Sequence, residues 1–162
     1  MLSVKQGYMG MNGNILDGNS ISNADILAIP NPLGNIPANL SIVPADMKMQ
    51  VTMIGAMYAP SDKVTLMAMG VYMSKDMNLN TFKPMMSRDL IGSFNTSSSD
   101  ISDIAFGALI KLKETEESRW HGELTLQKSI GDNDTKDTVL TPMGMNMEMI
   151  LPYGMQLGDG AT

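Results

Sequence analysis

The sequence predicts an all-β fold, an antiparallel up-and-down meander of about five to six strands. Apolar and polar residues alternate with a period of two over several stretches, as the two faces of a strand require. No stretch of about 18 apolar residues occurs, which excludes a helical membrane span. The connections between the stretches alternate between long and short, which indicates a meander with two unlike ends.

The first predicted strand covers residues 2–13. It leads into a long loop over residues 14–45 that is rich in Gly, Asn and Pro. These residue types favour turns and interrupt regular ladders. The second and third strands then form a hairpin across the turn Pro60-Ser61-Asp62.

The first hairpin carries eight methionines, all at odd positions, which gathers them on one side of each strand. If the turn is a three-residue loop, Ala59 pairs with Lys63 and the two methionine rows share one face. A two-residue loop would place the rows on opposite faces. In the three-residue register, four of these methionines form two facing pairs that we expect to line a lumen. The eight are Met47, Met49, Met53, Met57, Met67, Met69, Met73 and Met77, and the pairs are Met53 with Met69 and Met49 with Met73.

The even positions of the same hairpin form an apolar band with a tyrosine towards either end. Val64, beside Tyr58, and Tyr72 are eight residues apart. At about 3.3 Å per residue and a tilt of about 40°, this separation is roughly 20 Å along a membrane normal, which suits the apolar belt of an outer-membrane barrel. A soluble sheet with one buried face would have the same local pattern. The band contains Ile54, Ala56, Tyr58, Val64, Leu66, Ala68, Gly70 and Tyr72.

A second hairpin, over residues 100–113 and 119–130, has one apolar face and one polar face. A polar row of this length is a poor fit to a sandwich core and suits a wet lumen. The outer row of a soluble sheet would look the same locally. The predicted lumen row contains Arg119, His121, Glu123 and Gln127, and the predicted lipid-facing row contains Phe106, Ile110, Trp120 and Leu124.

The connections differ in length between the two ends of the predicted sheet. Long connections at one end and short turns at the other are the pattern of bacterial outer-membrane barrels, with the long loops extracellular. Residues from Met149 onward would begin a sixth strand. We therefore expect residues 1–162 to form a single partial domain of a transmembrane outer-membrane β-barrel. The long connections are 14–45, 78–99 and about 131–148, and the short ones are 60–62 and 113–118.

Composition constrains the partners. The net charge is −6, and no cluster of Arg or Lys with interleaved aromatic residues occurs, which argues against nucleic acid as a partner. Charged residues make up 17% of the chain and Cys is absent, which is compatible with a β-barrel whose apolar residues are diluted by alternation. The predicted partners are outer-membrane lipid and a small-molecule or metal-ion cargo.

Four runs of sequence carry a family resemblance. They are YMGMNGN at 8–14, VPADMKMQVTMIGAMYAPSDKVTLMAMGVYMSKDMN at 43–78, FNTSSSDISDIAFGALIKL at 94–112 and LPYGMQLGDGA at 151–161. These runs resemble the methionine-rich outer-membrane β-barrels of the phenol-degradation MetA-pathway family, whose members are associated with transport. The resemblance spans most of the chain and is strongest across the first hairpin. It implies an outer-membrane barrel in which the last of these runs leads into a further strand.

Two departures from the family pattern predict that the chain is a fragment, about half of a barrel. No secretory leader with a charged region, an apolar region and a cleavage site opens the sequence. Five strands and a partial sixth cannot close the smallest barrel, which has about eight strands. The remaining barrel strands are therefore expected outside this chain, and the sheet alone would expose two unpaired edges.

Residues that could support catalysis are scarce. The sequence has His121 as its single histidine, no Cys, and no GxSxG, Walker A or HExxH pattern, so we expect no catalytic residue and no enzyme activity. Aspartates in the loops could bind Ca²⁺ through oxygen, but their spacing matches no EF-hand loop and solvated carboxylates are expected instead. They are Asp100, Asp103, Asp132, Asp134 and Asp137.

Methionine is the unusual resource of this chain, with 18 among 162 residues. Thioethers are soft, neutral ligands that favour Cu(I) over hard ions. One run with alternate spacing would put four sulfurs on one side of an extended chain, which makes it the sharpest candidate for a metal site. The alternative is a strand start with flexible apolar filling. No cofactor is expected beyond Cu(I) as ligand or cargo at this run, which contains Met143, Met145, Met147 and Met149.

Three classes of function remain open from the sequence. The favoured one is an outer-membrane barrel of transporter type that passes small solutes. The second is an envelope protein that binds soft metals, copper or silver, or assists their efflux, through methionine thioethers. The third is a soluble β-sheet binding module, which would be monodisperse without detergent.

Overall fold

The body of the protein is a single antiparallel sheet of five strands. The computed structural model describes residues 1–32, 34, 37–84 and 87–158. In chain order the elements are β1 (Leu2–Asn12), β2 (Asn14–Leu16), β3 (Asn19–Ile21), α1 (Asn23–Ala28), β4 (Ile42–Ser61), β5 (Val64–Phe82), β6 (Leu90–Glu114), β7 (Arg119–Ser129), β8 (Lys136–Leu140) and β9 (Asn146–Ile150), followed by a 3-10 turn at Tyr153–Met155.

The predicted all-β antiparallel meander is confirmed for the long strands. They lie side by side in the order β1-β4-β5-β6-β7, and each neighbouring pair is antiparallel. β1 and β7 form the two edges and do not pair with each other in the part of the chain that the structure describes. The sheet is therefore open, and its edge strands present unpaired backbone groups.

The register of the β4–β5 hairpin corrects the predicted turn. Ser61 pairs with Val64, so the turn has two residues, and a β-bulge between Tyr58 and Ser61 adds one extra residue to β4. The bulge restores the parity that a two-residue turn alone would have changed. As a result both methionine rows do share one face, but the predicted facing pairs are wrong. Met57 pairs with Met67, Met53 with Val71, Met49 with Lys75, Gly55 with Met69 and Val51 with Met73.

The strands define two faces of the sheet. We call the side that carries the odd-numbered residues along the paired lengths of β1, β4 and β5 the methionine face, and the opposite side the belt face. The end of the sheet near the Asp62-Lys63 turn is the near half, and the end near the β5–β6 connection is the far half. The odd-numbered residues of β7 also lie on the methionine face, because Thr125 pairs with Gly107, which in turn pairs with Met67.

The predicted long loop 14–45 contains regular structure, so that prediction is wrong in part. β2 and β3 form a hairpin through Asp17 and Gly18, whose φ angles of 49° and 80° are those of the primed hairpin turns. Ser22 then caps α1, because its Oγ accepts a hydrogen bond from the Asp25 N–H at 3.3 Å. Local turn and capping chemistry therefore organises this stretch.

The predicted loop 78–99 is wrong, since β5 and β6 pair as far as Phe82 and Leu90 and leave only a short connection. Runs of Asn and Ser in this stretch favour turns in isolation. Packing overrides that preference, because Leu79 is only 4% exposed and lies in the main core.

The predicted loop 131–148 and the predicted sixth strand from Met149 are also wrong. β8 and β9 pair with each other as a separate two-stranded hairpin, and Met149 lies inside β9 opposite Asp137. Gly144, with φ of 78°, provides the left-handed backbone of their turn. Residues 151–158, which we call the C-terminal segment, do not join the sheet and instead pack on its methionine face.

The main core lies between the C-terminal segment and the far half of the methionine face. Met155 is fully buried there and packs against Met47 and Met77. A smaller cluster forms under α1. The main core contains Met47, Met77, Leu79, Val139, Leu151 and Met155, and the smaller cluster contains Ile26, Leu27 and Val43.

Arg88 ties the β5–β6 connection to the segment that precedes β4. Its guanidinium donates to the carbonyl oxygens of Leu40 and Pro84 at 2.7 and 3.2 Å. It also donates to Ser41 Oγ at 3.1 Å and to the carbonyl oxygen of Leu27 at the end of α1. A planar guanidinium can serve several acceptors in fixed directions, which a lysine ammonium cannot reproduce.

The substitution Arg88→Lys is expected to loosen α1 from the sheet at a cost of about 1 to 3 kcal/mol, because the acceptors at Leu27 and Leu40 lose their donor. Amide hydrogen exchange of α1 measures this effect. The control is Arg119→Lys, since the Arg119 guanidinium is 73% exposed and pairs only with Glu114 on the surface. Equal protection of α1 in the parent and in Arg88→Lys would contradict the assigned role.

Candidate functional site

The belt face is apolar and uncovered along the near half of the sheet. Phe106, Leu124 and Leu126 are 61%, 68% and 72% exposed, and no described part of the chain packs on them. A single connected apolar surface of this kind is rare on soluble monomers and marks a contact with lipid or another protein. Its exposed members are Leu2, Val4, Tyr8, Ile54, Tyr58, Leu66, Tyr72, Ile101, Phe106, Ile110, Leu112, Trp120, Leu124, Leu126 and Ile130.

Aromatic residues mark both ends of this surface. Tyr58 and Trp120 lie at the near end, close to the short turns, while Tyr8 and Tyr72 lie toward the far half. From Val64 to Tyr72, β5 advances about 20 Å along a normal inclined by about 40° to the strand. Farther along β5 the same face becomes polar, with Ser74, Asp76 and Asn78. The apolar surface is therefore a band with defined edges.

The methionine face has different chemistry. Of the methionines that the structure describes, ten on the strands lie on it, and no even-numbered position of β1, β4, β5, β6 or β7 is a methionine. Both faces are apolar in the near half, yet only one uses sulfur. The ten are Met9, Met11, Met47, Met49, Met53, Met57, Met67, Met69, Met73 and Met77.

The near half of the methionine face contains a groove of about 260 Å³. Four methionines line it together with small residues of the central strands, while Lys5, Glu123 and Thr125 border it. Gly107 makes room in the groove, because a Cβ there would come within 2.6 Å of Thr125 Oγ1 and 3.4 Å of the Met67 methyl carbon. The lining residues on the central strands are Met53, Gly55, Met57, Met67, Met69, Ala105 and Gly107.

The C-terminal segment covers the far half of the methionine face on the central strands β4, β5 and β6, while Met9 and Met11 on β1 remain exposed. Lys75 is 8% exposed, and its ammonium donates to the carbonyl oxygens of Gly154 and Gln156 at 3.0 and 2.6 Å. Ser98 Oγ donates to the Met155 carbonyl oxygen at 2.6 Å. These hydrogen bonds hold the segment across β5 and β6, so the groove is confined to the near half.

The structure places the four predicted polar lumen residues on the methionine face, and all four are exposed. Glu114 organises the row at its end, because its two carboxylate oxygens lie 2.8 Å from Arg119 Nε and 2.7 Å from Lys111 Nζ. Thr125 Oγ1 donates to the Glu123 carboxylate at 2.9 Å. In the ladder Arg119 pairs with Glu114, His121 with Lys111, Glu123 with Leu109 and Gln127 with Ala105.

Neither of the two predicted methionine pairs forms in the sheet, because in the β4–β5 ladder each of the four methionines pairs with another residue type. Met53 and Met69 both line the groove, whereas Met49 faces Lys75 and Met73 faces Val51. Sequence reasoning missed the direct pair formed by Met57 and Met67, because the two-residue turn and the bulge in β4 together shift the register by two residues from the predicted one. The odd spacing of these methionines was visible, but their partners depended on the turn.

The candidate run at the β8–β9 hairpin differs from its prediction. Met143 lies in the turn, where the Gly144 N–H donates to the Thr141 carbonyl oxygen at 2.9 Å, so it does not continue the extended chain. The other three are at or in β9, and all four side chains are between 45% and 75% exposed. The idea of four sulfurs on one side of an extended chain is therefore wrong for Met143; the others are Met145, Met147 and Met149.

In the described residues, no group of three or more His, Cys, Asp or Glu side chains is placed so that it could hold a metal ion. Within the same residues, no helix is long and apolar enough to cross a membrane. No family model, curated protein or solved structure matches the chain. The site is therefore characterised by its own geometry, as a methionine-lined groove on one face of a sheet whose other face is an apolar band.

The substitution Lys75→Met is expected to release the C-terminal segment, because it leaves the Gly154 and Gln156 carbonyl oxygens without their charged donor at a cost of about 1 to 3 kcal/mol. Hydrogen exchange of residues 151–158 measures the release. Lys48→Met is the control, since Lys48 is exposed on the other face of the sheet. Unchanged protection of the segment in Lys75→Met would contradict this role of Lys75 and show that the packing around Met155 and the remaining hydrogen bonds, among them those to the carbonyl oxygens of Asp132 and Thr135, suffice to hold it.

Proposed function

We propose that this protein forms part of the wall of a bacterial outer-membrane β-barrel of transporter type, with the belt face toward lipid and the methionine face toward the lumen. The exposed apolar band carries the proposal. Its height of roughly 20 Å, its aromatic ends and its abrupt polar boundary are the features of a strand surface that crosses a hydrocarbon layer. Soluble monomers rarely expose a continuous apolar surface of this extent.

The far half of the sheet supports the same assignment. Beyond Tyr72 the strands continue with polar residues on the belt face, as strands do when they extend past the membrane into water. The β5–β6 connection, α1 and the β8–β9 hairpin all lie at or near this end, whereas the near end has only short turns. In the proposed orientation the far half is extracellular and the near half is periplasmic.

Closure of the wall requires further strands. β1 and β7 carry unpaired backbone groups along one side each, and such edges are not tolerated inside a hydrocarbon layer. We propose that additional strands pair with both edges to complete a barrel. The methionine face then lines its lumen, and small solutes pass along the groove.

Trp120 is the single tryptophan and lies on the belt face, so it reports contact with lipid. When the chain is reconstituted into phospholipid vesicles together with the strands that complete the barrel, brominated acyl chains are expected to quench the fluorescence of Trp120, because the ring sits at the edge of the hydrocarbon. The matched control is the double variant Trp120→Phe and His121→Trp, which moves the indole to the opposite face. Quenching of both proteins alike, or of neither, would contradict the assignment of the belt face to lipid and of the methionine face to the lumen.

Leu124 lies in the middle of the band, so Leu124→Arg is expected to lower the free energy of unfolding in bilayers by about 2 to 4 kcal/mol, because it places a charge in hydrocarbon. Gln127→Arg, on the same strand but on the methionine face, should cost little. Urea unfolding in vesicles, followed by fluorescence, measures both. A similar loss for the two variants would contradict the assignment of faces.

A further inference from the structure

The distribution of methionine separates two kinds of apolar surface. On the belt face the apolar positions are filled by Leu, Ile, Val, Ala and aromatic residues, whereas on the methionine face of β1, β4 and β5 they are largely Met. Leu and Met have similar volume and apolarity, so packing alone does not require this division. The property that distinguishes the two is sulfur, which is a soft electron-pair donor.

The register concentrates these donors in the near half. Met57 lies directly opposite Met67, and directly opposed side chains have Cβ atoms about 4.5 to 5.5 Å apart. Met69 follows Met67 on the same face of β5 and is diagonal to Met57, at about 7 to 8 Å. Met69 pairs with Gly55 of β4, which has no side chain of its own. Flexible thioether side chains can close these gaps and converge on one ion.

Charged residues beside the groove favour binding of a cation at one of its ends. Lys5 lies opposite Met53, so its ammonium disfavours a cation there. Glu123 borders the groove from β7, two residues from Thr125, which shares a ladder row with Gly107 and Met67. A cation is therefore best placed among Met57, Met67 and Met69, with Met53 as the next sulfur along the groove.

We propose that the thioethers of Met57, Met67 and Met69 form a binding site for a soft monovalent cation, Cu(I) or Ag(I). The proposal rests on the proposed function, since it assigns a cargo or ligand class to the lumenal face. Neutral thioethers suit soft ions of low charge and bind hard ions such as Mg²⁺ and Ca²⁺ poorly. The site needs no thiol and keeps its ligands at any pH.

The site differs from the run on the β8–β9 hairpin in its lining and not in its exposure, since Met57, Met69 and Met149 are 43%, 41% and 45% exposed. Met145, Met147 and Met149 are about half exposed, and Met143 turns away from that run. The groove instead holds its sulfurs on paired strands beside Gly55 and Gly107, whose lack of side chains lets Ser3 Oγ, Thr125 Oγ1 and the Met67 methyl group approach the backbone. The hairpin run is therefore the natural internal control.

The test compares Cu(I) and Ag(I) binding by the full chain in lipid vesicles under reducing conditions, using competition with a chromogenic Cu(I) chelator. The parent is expected to bind one ion per chain in the groove. The triple variant Met57→Leu, Met67→Leu and Met69→Leu keeps the volume but is expected to lose more than about 100-fold in affinity, which exceeds the loss from changing an outer-shell partner. The variant Met145→Leu, Met147→Leu and Met149→Leu should keep the affinity of the parent.

Two further measurements make the result specific. X-ray absorption of the bound Cu(I) should show sulfur donors, and Mg²⁺ should not compete. Equal affinity in the parent and the groove variant, or loss in the hairpin variant alone, would overturn the assignment. The assignment would also be overturned if the groove bound an apolar fluorescent dye equally in the parent and the variant but bound neither Cu(I) nor Ag(I). Leu keeps the apolarity of Met, so such a groove would be an apolar site and not a sulfur site.

The Trp120 quenching measurement on the same samples separates the two proposals. If the chain inserts in lipid but has no affinity for Cu(I) or Ag(I), the soft-cation site is wrong and the membrane assignment stands. If the chain binds the ion but its Trp120 is not quenched, the thioether site stands and the membrane assignment is wrong.

Discussion

The constraint on which this molecule depends is the parity of the β4–β5 hairpin. Strand side chains alternate with a period of two, so a shift of one residue would move a whole row to the opposite face. The two-residue turn at Asp62-Lys63 would produce that shift, and the bulge between Tyr58 and Ser61 cancels it. Because the bulge preserves parity, every methionine of β4 and β5 is on one side, and the residues of the apolar band, such as Ile54, Leu66 and Tyr72, are on the other.

This separation gives the sheet two faces that differ in residue type and in what packs on them. The belt face remains exposed and has aromatic residues at both ends, which is understandable if lipid covers it. The methionine face is divided along its length, with the central strands of the far half covered by the C-terminal segment and the near half open as a groove. The groove lies away from Lys75 and beside Glu123.

The C-terminal segment shows how polar contacts and packing act together. Met155 enters an apolar cluster, while the carbonyl oxygens around it accept hydrogen bonds from Lys75 and Ser98. The segment is thus held by side chains of the sheet and by its own N–H groups at Leu151, Leu157 and Gly158, which donate to the carbonyl oxygens of Thr135 and Asp132. In the proposed barrel it would occupy part of the lumen at the extracellular end and narrow the path to the groove.

The sequence by itself determined the all-β class, the strand cores, the apolar band and the methionine row of each strand, because period-two alternation is a local property. Whether the two rows share one face depended on the turn and the bulge, which only the tertiary structure decided. It also placed Arg119, His121, Glu123 and Gln127 on one row. Only the tertiary structure decided that Met57 faces Met67, that β5 and β6 extend through an Asn- and Ser-rich stretch, and that the chain after Met149 folds back over the sheet. These features depend on a bulge and on contacts between residues far apart in sequence, such as Lys75 with Gln156. Local propensity does not depend on residues far away in sequence, so it cannot predict such contacts, which form only in the folded chain.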